Sequence, residues 1–90
     1  MYIIVNHYIK DPDAFWKIVR ERPDIGAQNI KVHAVYPSPD MLRAICLWEA
    51  PSIAEIDGFL SDNFADLVSN DYFYVNEEAA MGLPQVKQMA

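Results

Sequence analysis

The chain has 90 residues, of which 52% are hydrophobic and 12% aromatic, and its formal net charge is −6. This length fits one domain, and no run of basic residues is present that would neutralise nucleic-acid phosphates or bind an anionic membrane surface. One cysteine allows no intramolecular disulfide, and no apolar run reaches the ~18 residues of a membrane span. We therefore expect a cytoplasmic protein without nucleic-acid or membrane partners.

A strand and a helix are predicted first. The stretch Tyr2–Ile9 (YIIVNHYI) has the β-branched and aromatic composition of a strand. Asp11 suits a helix N-cap and Pro12 the first helical position, and apolar residues then recur at three- and four-residue spacing. Pro23 is expected to end this helix, because proline cannot continue its hydrogen-bond ladder.

A hairpin is predicted next. Residues 30–36 and 41–50 have the composition of strands, and the sequence PSPD at 37–40 is typical of a tight turn between them. Strand alternation in such a hairpin assigns each side chain to one of the two faces of a sheet.

A second helix and a fourth strand follow. Ser52 and Glu55 have the spacing of a capping box, in which the serine side chain accepts a backbone N–H and the glutamate reaches back. Apolar residues at helical spacing then run from Ile56 to Leu67. Residues 71–76 (DYFYVN) predict the last strand.

The order β-α-β-β-α-β predicts the α+β class and a ferredoxin-like fold, with a four-stranded antiparallel sheet and both helices on one face. Residues 1–76 would form this domain, and residues 77–90 a C-terminal tail that packs on the domain or on a partner subunit. The topology leaves the other sheet face uncovered. Because the chain holds more apolar residues than a small monomer easily buries, we expect a homodimer through that face.

The turn at 37–40 also predicts the register of the hairpin. It places His33 opposite Ala44 and puts Cys46 and Trp48 on the same face as His33. We expect that face to be the uncovered one, because its residues are not a plain aliphatic core. The helix-covered face would then hold the hairpin residues Ile30, Val32, Ile45 and Leu47.

The same alternation applies to the outer parts of the sheet. On the fourth strand it predicts Tyr72 and Tyr74 on the uncovered face, with Phe73 and Val75 toward the helices. On the first strand two choices stay open, since either Tyr8 with Asn6 or His7 with Val5 could share the uncovered face.

His33 is the leading candidate for a functional role. Imidazole binds borderline metals such as nickel or zinc, and it transfers protons near neutral pH. Cys46 could be a second metal ligand, and four aromatic residues could line a cavity for a flat organic ligand: Trp48, Tyr8, Tyr72 and Tyr74. The structural alternatives are a partly buried histidine bonded to a neighbour and a cysteine that packs as a small hydrophobe.

The run VHAVYPSPDMLRAICLWEAPSIAEI resembles a small, largely uncharacterised ferredoxin-like family with a nickel-binding member. The shared pattern is a strand with histidine, a short loop with aspartate, and a strand ending in cysteine, an aromatic residue, an acid and Ala-Pro-Ser. The matching residues are His33, Asp40, Cys46, Trp48, Glu49, Ala50, Pro51 and Ser52. The resemblance covers roughly residues 30–56, and the element order is also similar to that of the dimeric α+β barrel proteins. It implies a dimer with a ligand site, and nickel or another transition metal as a cofactor.

Three hypotheses for function follow. The leading one is a homodimer that binds a small ligand or a transition metal between the two sheets, with His33 in contact with it. The second is an enzyme of the cofactor-independent monooxygenase or isomerase kind, acting on a small planar substrate. The third is a purely structural or regulatory dimer whose cavity is filled by its own side chains.

Overall fold

The computed structural model describes residues 1–21 and 29–84. In chain order its elements are β1 (Tyr2–Ile9), α1 (Pro12–Glu21), β2 (Lys31–Pro37), β3 (Arg43–Glu49), α2 (Ile53–Phe64) with a 3-10 turn (Ala65–Leu67), and β4 (Val68–Tyr74). The predicted order of strands and helices is confirmed. The predicted end of the first helix at Pro23 lies outside the described residues. Within the described ranges, no helix is long and apolar enough to cross a bilayer.

Both helices begin at the residues that the sequence indicates. Asp11 caps α1, because its Oδ1 accepts the backbone N–H of Ala14 at 3.2 Å. Ser52 caps α2 in the same way, with its Oγ accepting the N–H of Glu55 at 3.2 Å. The carboxylate of Glu55 accepts a hydrogen bond from the Asn29 side chain instead of reaching back to the cap.

The four strands form one antiparallel sheet in the order β2-β3-β1-β4. This is the strand order of a ferredoxin-like α+β domain, in which the two helices cross over the same face. The core lies between that face and the helices. Its members include Ile3, Val5, Phe15, Trp16, Trp48, Ile56, Leu60 and Phe64.

The predicted register of the hairpin is wrong. Tyr36 pairs with Ile45 and Lys31 with Glu49, and a β-bulge interrupts the ladder at His33. The turn comes later than predicted because Asp40 organises the chain after β2. Its Oδ1 accepts the Ser38 hydroxyl at 2.7 Å and the Leu42 N–H at 3.0 Å.

The predicted positions of Cys46 and Trp48 are also wrong, because both face the helices. Direct partners in an antiparallel pair share a face, and these two residues lie opposite Val5 and Ile3 of the central strand. Cys46 is 4% exposed and Trp48 is 3% exposed. Ile45 and Leu47 therefore lie on the uncovered face, contrary to expectation, whereas Ile30 and Val32 pack with the core as predicted.

The assignment of β4 is reversed in the same manner. Tyr72 and Tyr74 pair with Val5 and Ile3, so they lie on the helix-covered face. Phe73 lies on the other face and is 53% exposed, and Val75 follows it there.

The choice that the sequence left open on β1 is settled by burial. His7 is buried among the helix-facing residues, whereas Tyr8 is exposed on the uncovered face beneath the guanidinium of Arg43, 4.8 Å from its ring centre.

The segment after β4 returns over the uncovered face. The N–H of Val75 donates to Tyr2 O at 2.9 Å, and Glu77 accepts the N–H of Tyr2 at 3.2 Å. Residues 80–84 then lie beside the sheet and form one wall of a groove. The predicted tail thus contacts the domain as far as residue 84, which is the last described residue.

Candidate functional site

The uncovered face carries an open groove with a volume of about 450 Å³. Its sheet side is lined by Ile4, His33, Ala34, Tyr36, Leu47, Phe73 and Val75, and its other wall by residues 80–84. Ile4 and Leu47 are half-buried, whereas the aromatic rings of Tyr36 and Phe73 are largely exposed. We name this feature the face groove. It presents an apolar surface next to a single imidazole.

His33 and Glu49 form a pair at the face groove. The Nε2 atom of His33 lies 2.9 Å from Oε1 of Glu49, and the His33 side chain is 13% exposed. The ring of Tyr2 lies beside the imidazole, with 5.5 Å between ring centres. The hydrogen bond from His33 is the main reason that the pKa of Glu49 lies below its usual value. The carboxylate therefore stays ionised and fixes the orientation of the imidazole.

The β-bulge explains why His33 lies on this face. Val32 pairs with Trp48 and Ala34 with Leu47, so His33 is the extra residue between two ladder pairs. An extra residue breaks the strict alternation of a strand and lets a side chain be redirected. His33 reaches the uncovered face as predicted, but by this bulge and not by the predicted register.

A second, internal cavity lies between the helices and the sheet. Its volume is about 40 Å³. It is lined by His7, Phe15, Trp16, Val19, Val32, Val35, Ala44, Cys46, Trp48, Leu60 and Phe64. We name it the helix–sheet cavity. Four side chains of its walls carry a polar atom, those of His7, Trp16, Cys46 and Trp48, and the others are apolar.

The polar side chains of the helix–sheet cavity are uncharged near neutral pH. Burial raises the pKa of the Cys46 thiol to about 12, an effect that the nearby Trp48 N–H partly opposes. Burial likewise lowers the pKa of His7, although its hydrogen bond to Asn70 acts in the opposite direction. Because an amide oxygen only accepts, the Nδ1–H of His7 donates to Asn70 Oδ1 and leaves Nε2 unprotonated.

The tyrosines predicted as cavity residues have structural contacts. The hydroxyl of Tyr72 donates to Asp57 at 2.9 Å, and the hydroxyl of Tyr74 accepts the N–H of Ile53 at 3.1 Å. Both contacts tie β4 to the first turns of α2. Neither tyrosine lines the face groove or the helix–sheet cavity, and Tyr8 lies on the uncovered face outside the groove.

The two predicted metal ligands are not brought together. His33 lies on the uncovered face and Cys46 on the helix-covered one, so the sheet itself separates them. Within residues 1–21 and 29–84, no group of three or more histidine, cysteine or acidic side chains is placed to hold a metal ion. Nickel binding stays a prediction.

His7 and Asn70, which are hydrogen-bonded to each other beside the helix–sheet cavity, were not among the candidate site residues predicted from the sequence. The sequence leaves the face of His7 open, and Asn70 falls before the predicted fourth strand. The sequence does contain a signal that places His7 in the core. The apolar residues Ile3, Val5 and Ile9 occupy alternate positions of β1, and His7 belongs to the same alternating set, so it lies on the same face as they do.

Comparison of this chain with family models, with curated proteins and with solved structures finds no match. Assignment of a function therefore depends on the geometry of the face groove and of the helix–sheet cavity.

Proposed function

We propose that this protein is a homodimer that binds a small, largely apolar molecule bearing a hydroxyl group, in the face groove beside His33. The observation that carries the proposal is the placement of one oriented imidazole at the edge of an apolar groove of about 450 Å³. That volume lies in the range of small-molecule sites, roughly 300–1,000 Å³.

The chemistry of His33 favours a hydroxyl. When Nε2–H donates to Glu49, the opposite ring nitrogen, Nδ1, is an acceptor. Within the described residues Nδ1 of His33 has no hydrogen-bond partner. A phenol or alcohol would donate to it, while the apolar body of the ligand lies over Ile4 and Leu47 between the exposed rings of Tyr36 and Phe73.

The second copy of the chain is proposed from the exposed apolar residues of the same face. Tyr8, Tyr36, Ile45 and Phe73 are each between 40% and 69% exposed and lie on one side of the sheet. Contiguous apolar surface of this kind is rarely left in water by a soluble monomer. Two such faces packed together, about 10 Å apart, would bury these rings and close the groove against solvent.

A fluorescence titration with 2-naphthol tests the ligand proposal, because this probe has a flat apolar body and one hydroxyl. We expect His33→Ala to weaken binding by roughly threefold to tenfold, the effect of one net hydrogen bond. Ala34→Leu should weaken binding by filling the groove. The control is Lys31→Ala, an exposed neighbour on β2 that does not line the groove. Wild-type affinity in both groove variants would refute the proposal.

The His33–Glu49 pair also favours a second candidate, a proton-transferring enzyme of the cofactor-independent monooxygenase or isomerase kind. A carboxylate that orients an imidazole is the arrangement that general bases use. This candidate predicts turnover of a phenol or lactone without added metal, with a pH profile that changes in Glu49→Gln. Binding of 2-naphthol without turnover of any such compound would favour the binding function alone.

A further inference from the structure

The uncovered side of β3 carries a row of side chains whose charge reverses from one end to the other. Alternate residues of a strand share a face, and the row on this face consists of Arg43, Ile45, Leu47 and Glu49. In chain order it is basic, apolar, apolar and acidic. β3 is one of the two central strands of the sheet, so the row lies near the middle of the uncovered face.

The guanidinium at one end of the row has no carboxylate partner in the described part of the chain. Arg43 is exposed and lies over the ring of Tyr8, 4.8 Å from the ring centre. No described aspartate or glutamate is within salt-bridge distance of it. Its charge is the last of the causes that lower the pKa of Asp40, after the hydrogen bonds within the turn. The guanidinium therefore keeps donors for a carboxylate of another chain.

The carboxylate at the other end of the row has an oxygen left to accept a hydrogen bond. Oε1 of Glu49 lies 2.9 Å from Nε2 of His33, whereas Oε2 has no partner among the described residues. Lys31, its neighbour on β2, is not within salt-bridge distance. The side chain of Glu49 is 45% exposed and its pKa is lowered, chiefly by the hydrogen bond from His33. It thus presents a negative charge at the edge of the face groove.

Two copies of this row are complementary when they run in opposite directions. Antiparallel rows bring Arg43 of each copy to the partner subunit's Glu49, and Ile45 to the partner subunit's Leu47. Parallel rows would put arginine against arginine and glutamate against glutamate, which is unfavourable. Sheets packed face to face lie about 10 Å apart, a spacing that an arginine and a glutamate extended toward each other can bridge. A two-fold axis makes such contacts reciprocal.

We propose that two copies of the chain pair through the uncovered face with their β3 strands antiparallel, held by reciprocal ion pairs between Arg43 and the partner subunit's Glu49. The proposal rests on the homodimer of the proposed function and assigns its register. The apolar contact of Ile45 with the partner subunit's Leu47 lies at the centre of this interface. The partner subunit's Arg43 lies beside the pair of Glu49 and His33, so each face groove is completed by a cation of the other copy.

Charge reversal tests this register, with sedimentation equilibrium as the measurement of the dimer dissociation constant. We expect Arg43→Glu and Glu49→Arg each to weaken the dimer by roughly tenfold to hundredfold, since each places like charges together at both ends of the row. The double variant with both changes restores opposite charges and should dimerise at least about tenfold more tightly than either single variant. Lys17→Glu is the matched control, because it reverses an exposed charge on α1, on the covered side of the sheet.

The outcomes separate the register from the homodimer itself. A monomeric wild type would overturn both. A wild-type dimer that either single reversal leaves intact, or that weakens equally in Lys17→Glu, would overturn the register alone. So would a double variant that is no tighter than the single ones. Recovery of Arg43→Glu by Asp71→Arg, on the same face of β4, in place of Glu49→Arg would assign Arg43 another partner and overturn the antiparallel pairing.

Discussion

The two histidines lie on opposite faces of one sheet and have opposite surroundings. His7 is buried on the helix-covered face, where an amide oxygen holds its Nδ1–H and burial lowers its pKa. His33 lies on the uncovered face, where an ionised carboxylate holds its Nε2. The fold thus gives one residue type two chemical roles, because a closed core favours the neutral ring and a solvated edge supplies a charged partner.

The same contrast separates the two faces as a whole. The covered face is continuous with the core and contains a small, uncharged cavity. The uncovered face has exposed rings, a larger groove and the ion-pairing residues. Stability should therefore depend on the covered face, and recognition on the uncovered one.

The largest difference in the free energy of unfolding is expected between two variants, each with one side chain truncated on a different face of the sheet. Ile56→Ala on the covered face removes a fully buried side chain and should lower the free energy of unfolding by about 2–5 kcal/mol. Phe73→Ala on the uncovered face should lower it by less than about 1 kcal/mol in the dissociated chain, at protein concentrations too low for a dimer, because that ring is half in solvent when the face is unpaired. Urea denaturation measures both. Similar losses in the two variants would mean that the uncovered face contributes to folding as the core does.

Acidification should destabilise the folded chain through the buried side chain of His7. The pKa of His7 is below its ordinary value of 6.5 in the folded chain. As the pH falls below about 6.5, the unfolded chain takes up a proton at this residue before the folded chain does, so stability should fall. In His7→Gln that part of the loss should be absent. The urea midpoint measured from neutral to mildly acidic pH checks this, and parallel curves for the two proteins would contradict it.

A substitution that relieves backbone strain after α2 should raise the free energy of unfolding, by less than the core truncation lowers it. Ala65, after α2, has φ 49° and ψ −128°, a conformation that glycine adopts without strain. Ala65→Gly should raise the free energy of unfolding by about 1 kcal/mol. Ala54→Gly, inside α2, is the control and should lower it. Destabilisation by both changes would show that Ala65 is not strained.

The smallest effect on stability is expected at Glu49, whose side chain is 45% exposed and so gains little from its ion pair. Its pKa is lowered in the folded chain, chiefly by His33, so its contribution to stability is present above pH 4.5 and is lost as the pH falls. Glu49→Gln should therefore lose less stability than the wild type on acidification below that pH. A steeper loss in the variant would contradict the pairing with His33.

The order of elements and both helix caps could be predicted from the sequence, because they depend on local signals. Asp11 and Ser52 precede apolar residues at helical spacing, and their side chains have the acceptors that a helix start needs. Strand composition alone located β1 and the hairpin. These signals do not depend on distant parts of the chain.

The faces of β3 and β4 could not be predicted, because they depend on pairing with β1. The predicted turn put Cys46 and Trp48 on the face of His33, yet they lie opposite Val5 and Ile3. The bulge at His33 adds one residue to β2, and no local signal marks it. The candidate site was therefore predicted in part. His33 was placed on the correct face, whereas its partners on that face were not identified.

A native mass spectrum tests the central claim, that the uncovered face is the recognition surface, most directly. The comparison is between the wild type and Ile45→Glu, which puts a charge on that face, with Leu42→Glu as a control of similar exposure in the loop before β3. We predict a dimer for the wild type and for Leu42→Glu, and a monomer for Ile45→Glu. A monomeric wild type, or a dimer that survives Ile45→Glu, would contradict the account.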